Sequence, residues 1–139
     1  MSERVIDQLE KDECLRLIAP GGVGRIAYAS RFGPAVLPVN YVLHDGSVVF
    51  RTTEDSPLDE DLRTGITGAD YAVAFEIDAM DTVGRLGWSV LLQGPAHRLT
   101  GGDRVWAERS GVESWAPGDR DLFIQVIPTR VTGRRIDLA

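Results

Sequence analysis

The sequence predicts a mainly β fold, a small antiparallel barrel with short flanking helices, and three observations lead there. Asp45-Gly46 stands between two runs rich in Val, Leu, Tyr and Phe, and this dipeptide takes the positive φ angles of a two-residue hairpin turn. Gly94-Pro95 interrupts a long apolar run, which is how a strand bends through a barrel corner. Six or more strand-length segments follow one another with helical excursions too short for the crossovers of a parallel, doubly wound sheet.

Taken in order, residues 7–18 place Leu9, Cys14, Leu15, Leu17 and Ile18 among charges, with Asp12 as a cap and Pro20-Gly21-Gly22 as a stop. This predicts an N-terminal helix over residues 7–18. Cys14, beside Asp12 and Glu13, reads as a small buried hydrophobe, because a reactive thiol needs an electropositive setting. Residues 24–30 form a strand, and Arg31-Phe32-Gly33-Pro34 turns it into the central hairpin. With Asp45 and Gly46 as the turn, Leu43 faces Val48, Tyr41 faces Phe50 and Val39 faces Thr52 on a core face. On the other face Val42 meets Val49 and Asn40 meets Arg51, which makes that surface a candidate binding face.

The outgoing strand continues through Arg51, Thr52 and Thr53, turns at Glu54-Asp55, and reaches Ser56 as a helix N-cap with Pro57 in the first helical position. Asp59 completes an approximate capping box, and the helix spans about residues 58–63. A cation, hydroxyls and free backbone N–H groups gathered at a helix start suit a phosphate. A capped surface turn accounts for the same residues, and the carboxylates of Glu54, Asp55 and Asp59 oppose an anion unless they point outward. After Gly65 and Gly68, residues 72–78 alternate, with Val73, Phe75 and Ile77 inward. Glu76 and Asp78 share the opposite face, either as a solvated surface or as a carboxylate pair for acid–base work. Residues 79–86 read as a polar connection. Residues 87–93 begin a strand that bends at Gly94-Pro95 and continues over 96–100. Residues 101–111 read as a helix with Asp103 near its start and Val105 and Trp106 as its apolar contacts. Trp115 and Pro117 fall in the next loop, and strands over 122–127 and 131–136 are joined through Pro128-Thr129. The whole chain, 1–139, reads as one domain with its barrel over about 23–136.

Composition narrows the function. The chain has a net charge of -6 and scattered basic residues, so a nucleic-acid partner is not expected. Lys11 is the single lysine and lies in an acidic stretch, which disfavours Schiff-base chemistry. Cys14 is the single cysteine, so neither an internal disulfide nor a thiolate metal cluster can form. The charged N-terminus and the lack of a long apolar run predict a cytoplasmic protein with no membrane partner. His44 and His97 have no ligand partners at metal spacing, no nucleophile elbow surrounds a serine, and the Gly-rich dinucleotide fingerprint is absent. Any chemistry is then most economically carried by a bound cofactor.

The segments GRIAYAS, VLPVNY, DGSVVFRTTEDSPL, VAFEID, GWSVLLQGPAHRL and APGDRDLFIQVIPTRVTGRRI, in this order over about residues 10–136, resemble the small pyridoxamine 5'-phosphate oxidase-like proteins of the flavin-binding split-barrel superfamily. The resemblance implies a six-stranded antiparallel split barrel, a homodimer, and FMN at the subunit interface. It further implies that Arg51, Thr52, Thr53 and Ser56 surround the flavin phosphate, that Pro38, Val39 and Asn40 line the ring through backbone groups, and that Trp88 and Ser89 approach from the second subunit. Each residue also has a plainer role: Arg51 could pair with Glu54 or Glu76, Ser56 could only cap its helix, Asn40 could satisfy a barrel edge, and Trp88 could be an interface aromatic. Family members usually carry a basic residue directly after that serine, whereas this chain has Pro57. Losing one charge-assisted contact weakens phosphate binding by about one to two powers of ten.

The resemblance therefore implies an FMN-dependent oxidoreductase passing hydride or electrons between a reduced donor and a small acceptor, with no catalytic residue identified. Pyridoxamine phosphate is not the expected substrate, since small members often lack the C-terminal substrate-binding residues. The alternatives are a deazaflavin-dependent reductase on the same fold and a flavin-free binding or regulatory module.

Overall fold

Alternating apolar and polar residues let an antiparallel sheet bury one face, and such a sheet loses its vulnerable edges only by closing on itself. The computed structural model, which describes residues 5–53, 58, 71–112 and 121–138, adopts that solution. In chain order its elements are β1 (Val5–Leu9), α1 (Lys11–Ile18), β2 (Gly22–Ser30), β3 (Gly33–His44), β4 (Ser47–Thr53), β5 (Tyr71–Asp81), β6 (Leu86–Arg98), α2 (Gly101–Arg109), β7 (Asp121–Val126) and β8 (Arg130–Asp137). Strands β6, β5, β2, β3, β4 and β7 are neighbours in that order, and β7 pairs back onto β6, so six antiparallel strands close a barrel. The remaining two, β8 and β1, extend the sheet as a ribbon on the first part of β6.

Closure depends on β6 changing partners. Its residues 86–93 pair with β8 and its residues 96–98 pair with β7. The changeover falls on Gly94-Pro95, the corner that the sequence predicts. There Thr129 N donates to Gln93 O (2.8 Å) and Ile127 N donates to Pro95 O (3.0 Å), so the link between β7 and β8 is stitched across the bend. The central turn also forms as its residues demand, with Asp45 at φ 49° and Gly46 at φ 78°.

Two local expectations are corrected. The N-terminal helix begins at Lys11, not at residue 7, because residues 5–9 form β1 on the otherwise open edge of β8. Glu10 occupies the N-cap with extended backbone, and Asp12 lies in the first turn instead of capping it. The second correction concerns residues 79–86, where β5 runs on to Asp81 and β6 starts at Leu86. Asp81 Oδ1 accepts hydrogen bonds from Val83 N and Gly84 N at 3.0 Å each, so the link is a tight hairpin turn and the polar residues before it belong to a strand. The expected helix over 58–63, Trp115 and Pro117 lie outside the described residues, apart from Leu58, which is helical and buried in the barrel core.

Val73, Phe75 and Ile77 face inward as the alternation predicts. Phe75 is the centre of the core, its ring edge-on to Tyr41 (centroids 5.6 Å apart) and near Phe50 (6.0 Å). One end of the barrel is plugged by α1, whose Cys14 and Ile18 are fully buried. Cys14 packs against Gly133, and burial raises its thiol pKa, in keeping with a structural role. Tyr41 Oη donates to Ile18 O (2.7 Å), tying β3 to this plug. Burial raises the Tyr41 pKa to about 12. The neutral phenol thus favours the folded state fully below the ordinary value of 10.0, and the benefit disappears as pH rises through about 12. Tyr41→Phe is expected to cost about 1 kcal/mol at neutral pH, since Ile18 O keeps its bond from Gly21 N (3.1 Å), and to remove the part of the alkaline stability loss that lies between those two values. Urea denaturation across that pH range measures both effects.

Candidate functional site

The site begins where the central hairpin comes apart. Strands β3 and β4 are laddered over Tyr41↔Phe50, Val42↔Val49, Leu43↔Val48 and His44↔Ser47, the register predicted from the turn. The ladder stops there. Beyond Phe50, β4 follows β7, with Arg51 opposite Phe123 and Thr52 opposite Leu122, while β3 stays with β2, with Asn40 opposite Val23 and Pro38 opposite Arg25. Asn40 and Arg51 are therefore not laddered neighbours, and neither are Val39 and Thr52. Each strand is drawn toward its second partner, and the sheet twist that this builds up opens the pair. Along residues 38–40 the flank of β3 that turned toward β4 is laddered to no strand among the described residues.

Two further elements crowd this opening. Arg51 is half-buried, its Nη1 donates to Val112 O (3.5 Å), and its guanidinium carbon lies 5.8 Å from the centre of the Phe123 ring. From α2, Arg104 brings a second guanidinium to within 5.5 Å of the same ring and donates from Nε to Glu108 (3.0 Å). The predicted binding face is thus partly roofed, since Val49 is buried with Leu99, Ala107, Val112 and Phe123 beneath α2. Stacking of His44 on Trp106, with centroids 3.7 Å apart, pins α2 to the hairpin. A cleft of about 210 Å³ remains between Gly21, Asn40, Val42 and Val112, beside Arg51.

The sequence-predicted residues divide between these surroundings. Pro38 and Asn40 stand on the outer face at the split, and Val39 points into the core. Arg51 lies at the split, while Thr52 is buried at 4% exposure. Thr53 continues β4 opposite Asp121, and Ser56 with its neighbours Glu54, Asp55, Pro57 and Asp59 lies outside the described residues. Trp88 and Ser89 are separated by strand alternation. Trp88 packs against the barrel core, and Ser89 faces outward into a groove of about 500 Å³.

On that outer face Arg25 bridges the two carboxylates singled out in the sequence, its Nη1 donating to Glu76 Oε1 and Asp78 Oδ2 at 3.3 Å each. Burial first, then the hydrogen bond and negative charge of Asp78, raise the Glu76 pKa to about 7, with Arg25 pulling the other way. A carboxyl raised in this manner stabilises the fold fully below 4.5, and that contribution is lost as pH rises through about 7. Glu76→Gln is expected to flatten stability against pH over this window and to leave the variant more stable than the parent above it, as read by urea midpoints. The pairing of Arg25 with these carboxylates and the position of Arg104 are not read along the sequence. Arg25 follows from the strand parity that puts it opposite Glu76 once β2 and β5 are known to pair, whereas nothing local brings Arg104 to Phe123. Among the described residues no three His, Cys, Asp or Glu side chains are grouped as metal ligands, and no helix is long and apolar enough to cross a membrane.

Residues 10–135 match the model of a protein family described as pyridoxamine 5'-phosphate oxidase. The chain is 32% identical over 135 residues to Rv0080, an uncharacterized protein of Mycobacterium tuberculosis, a match that takes in 97% of this chain and 88% of that one. In structure it is similar to an FAD-binding protein from Mycobacterium smegmatis (29% identity, TM-score 0.75, 93% of this chain and 98% of that one). A protein from Corynebacterium glutamicum named as a candidate pyridoxamine 5'-phosphate oxidase shares the fold at 23% identity and TM-score 0.78, over 100% of this chain and 98% of that one.

Proposed function

The chain belongs to the pyridoxamine 5'-phosphate oxidase family, and from that membership we propose that it is a flavin-binding oxidoreductase whose cofactor, FMN, lies at the split between β3 and β4. The observation that carries this reading is the juxtaposition at the split, where a main-chain flank of β3 with no laddered partner among the described residues stands beside a half-buried arginine. The two halves suit the two ends of a flavin nucleotide. A flat ring with donors and acceptors on its edge matches a strand flank and the Asn40 amide, and a phosphate matches the Arg51 fork. The 29% identical Mycobacterium smegmatis protein, which binds FAD, supports a flavin in general.

When bound, the flavin supplies hydride or electron transfer, and the protein supplies position and shelter. Arg51 holds the phosphate end. Arg104, at the same Phe123 ring, provides the second positive charge that Pro57 cannot. The backbone at Pro38, Val39 and Asn40 orients the ring, and α2 screens the phosphate end from water. Val23 and Val36 stand exposed on the outer face with Asn40, which supports pairing of two copies there to enclose the ring. Of the pair on β6, Ser89 is the one aimed outward toward such a partner, and Trp88 serves the barrel. Titration of the purified full chain with FMN, FAD and a deazaflavin cofactor, followed by flavin fluorescence, tests the assignment. Saturable binding tightest for FMN supports it, preference for the deazaflavin redirects it to that cofactor, and no binding of any of the three refutes it.

A further inference from the structure

The contact that seats α2 on the central hairpin has the geometry of a charged ring pair. His44 closes β3 beside the turn, and its imidazole overlies the Trp106 indole with centroids 3.7 Å and planes 28° apart. Neutral aromatic rings prefer an offset or edge-on meeting, because their like-charged faces repel. A cation over the face of tryptophan is attracted instead. At the edge of the same imidazole, Nε2 stands 3.5 Å from Asp45 Oδ2, a distance at which protonation creates an ion pair. Both contacts therefore strengthen when the ring takes up a proton.

α2 depends on that contact more than a longer helix would. Of its nine residues only Ala107 is buried, and Thr100 at the N-cap makes no side-chain hydrogen bond. So short a helix is held by packing and not by its own propensity. Its ring contacts with the barrel are Trp106 on His44 and Arg104 beside Phe123, the ring that Arg51 also approaches. We propose that His44 is a proton-operated latch for α2, in which the protonated ring clamps Trp106 and holds the helix over the split, and the neutral ring loosens it.

Few charges surround the latch. Asp45 comes from the turn, β3 carries no charged side chain besides His44, and Ser47, opposite His44 on β4, is buried and uncharged. On α2, Asp103 and Arg109 stand one turn before and one turn after Trp106 with opposite signs, and Arg104 is paired with Glu108. Asp45 is thus the one carboxylate within ion-pair range of the ring among the described residues. Histidine changes charge between about pH 5 and 8, so the latch works in that window. It is a property of the hairpin and α2 alone; only its effect on the cofactor, through the position of Arg104, rests on the flavin reading.

The test follows backbone amide exchange in the full chain from about pH 5 to 8, expressed as protection relative to an unfolded chain at each pH. Protection of α2 should fall roughly threefold to tenfold as the pH rises, within the range of a cation–π contact. His44→Phe keeps a ring on Trp106 and cannot take up a proton, so its α2 protection should lose this pH response. A flat profile in the parent, protection that rises with pH, or an unaltered response in His44→Phe overturns the proposal. FMN affinity is read in parallel as the difference between parent and His44→Phe, because the cofactor's own phosphate titrates at about pH 6. That difference should shrink as the parent's α2 protection falls. FMN that binds with no such difference, beside an α2 that responds, overturns the latch's hold on the split. If α2 responds and FMN does not bind at all, the latch stands and the flavin reading falls.

Discussion

Gly94→Val is expected to break the barrel at its seam, with a loss of about 2–6 kcal/mol that reflects overpacking and two forfeited hydrogen bonds. A Cβ at this position would overlap Ile127 O and press on Thr129 N, both backbone atoms that cannot swing aside. Those atoms belong to the segment whose amides bond Pro95 O and Gln93 O, so any retreat opens the stitch between β6 and the β7–β8 link. For a domain with total stability of about 5–15 kcal/mol, the upper end of that loss leaves a largely unfolded population. Gly102→Ala provides the contrast. Nothing lies within 4 Å of its Cβ position and it sits within α2, so the substitution is expected to be neutral or to stabilise by up to about 1 kcal/mol. Urea midpoints for the two variants separate the two glycines, and a Gly94→Val protein as stable as its parent would remove the steric basis of the corner.

Features set by adjacent residues are legible in this sequence, and features set by competition between strands are not. Asp45-Gly46 dictates its own turn, and the cross-strand pairs out to Tyr41↔Phe50 follow from it. Gly94-Pro95 is similarly local, since proline withdraws a donor and glycine admits a close backbone just where β6 changes partners. The split beyond Tyr41↔Phe50 has no such marker. It arises because β7, more than seventy residues away from Arg51, captures the end of β4 while β2 retains β3. For the same reason β1 is not legible locally, because only the open edge of β8 decides for a strand. Alternation could have separated Trp88 from Ser89 beforehand, since neighbours in a strand face opposite sides. The roof over Val49 and the approach of Arg104 to the Phe123 ring that Arg51 also faces depend on where α2 lands, which its own residues do not encode.

Arg51→Ala is expected to weaken FMN binding by roughly 10–100-fold, corresponding to the loss of one charge-assisted phosphate contact of about 1.5–3 kcal/mol. The same substitution should leave affinity for riboflavin, which has the ring and no phosphate, within about a factor of two. This difference isolates the phosphate from other functions of the side chain, because Arg51 also approaches Val112 O and the Phe123 ring. A purely structural loss would loosen the wall of the cleft and lower both affinities together. Arg51→Lys keeps the charge without the planar fork, so it should lie between the parent and alanine, with a steeper salt dependence than alanine. Arg104→Gln should produce a smaller drop confined to FMN if that residue offsets Pro57. Equal weakening of FMN and riboflavin in Arg51→Ala would move the phosphate elsewhere, and the split would then hold a ring without its anchor.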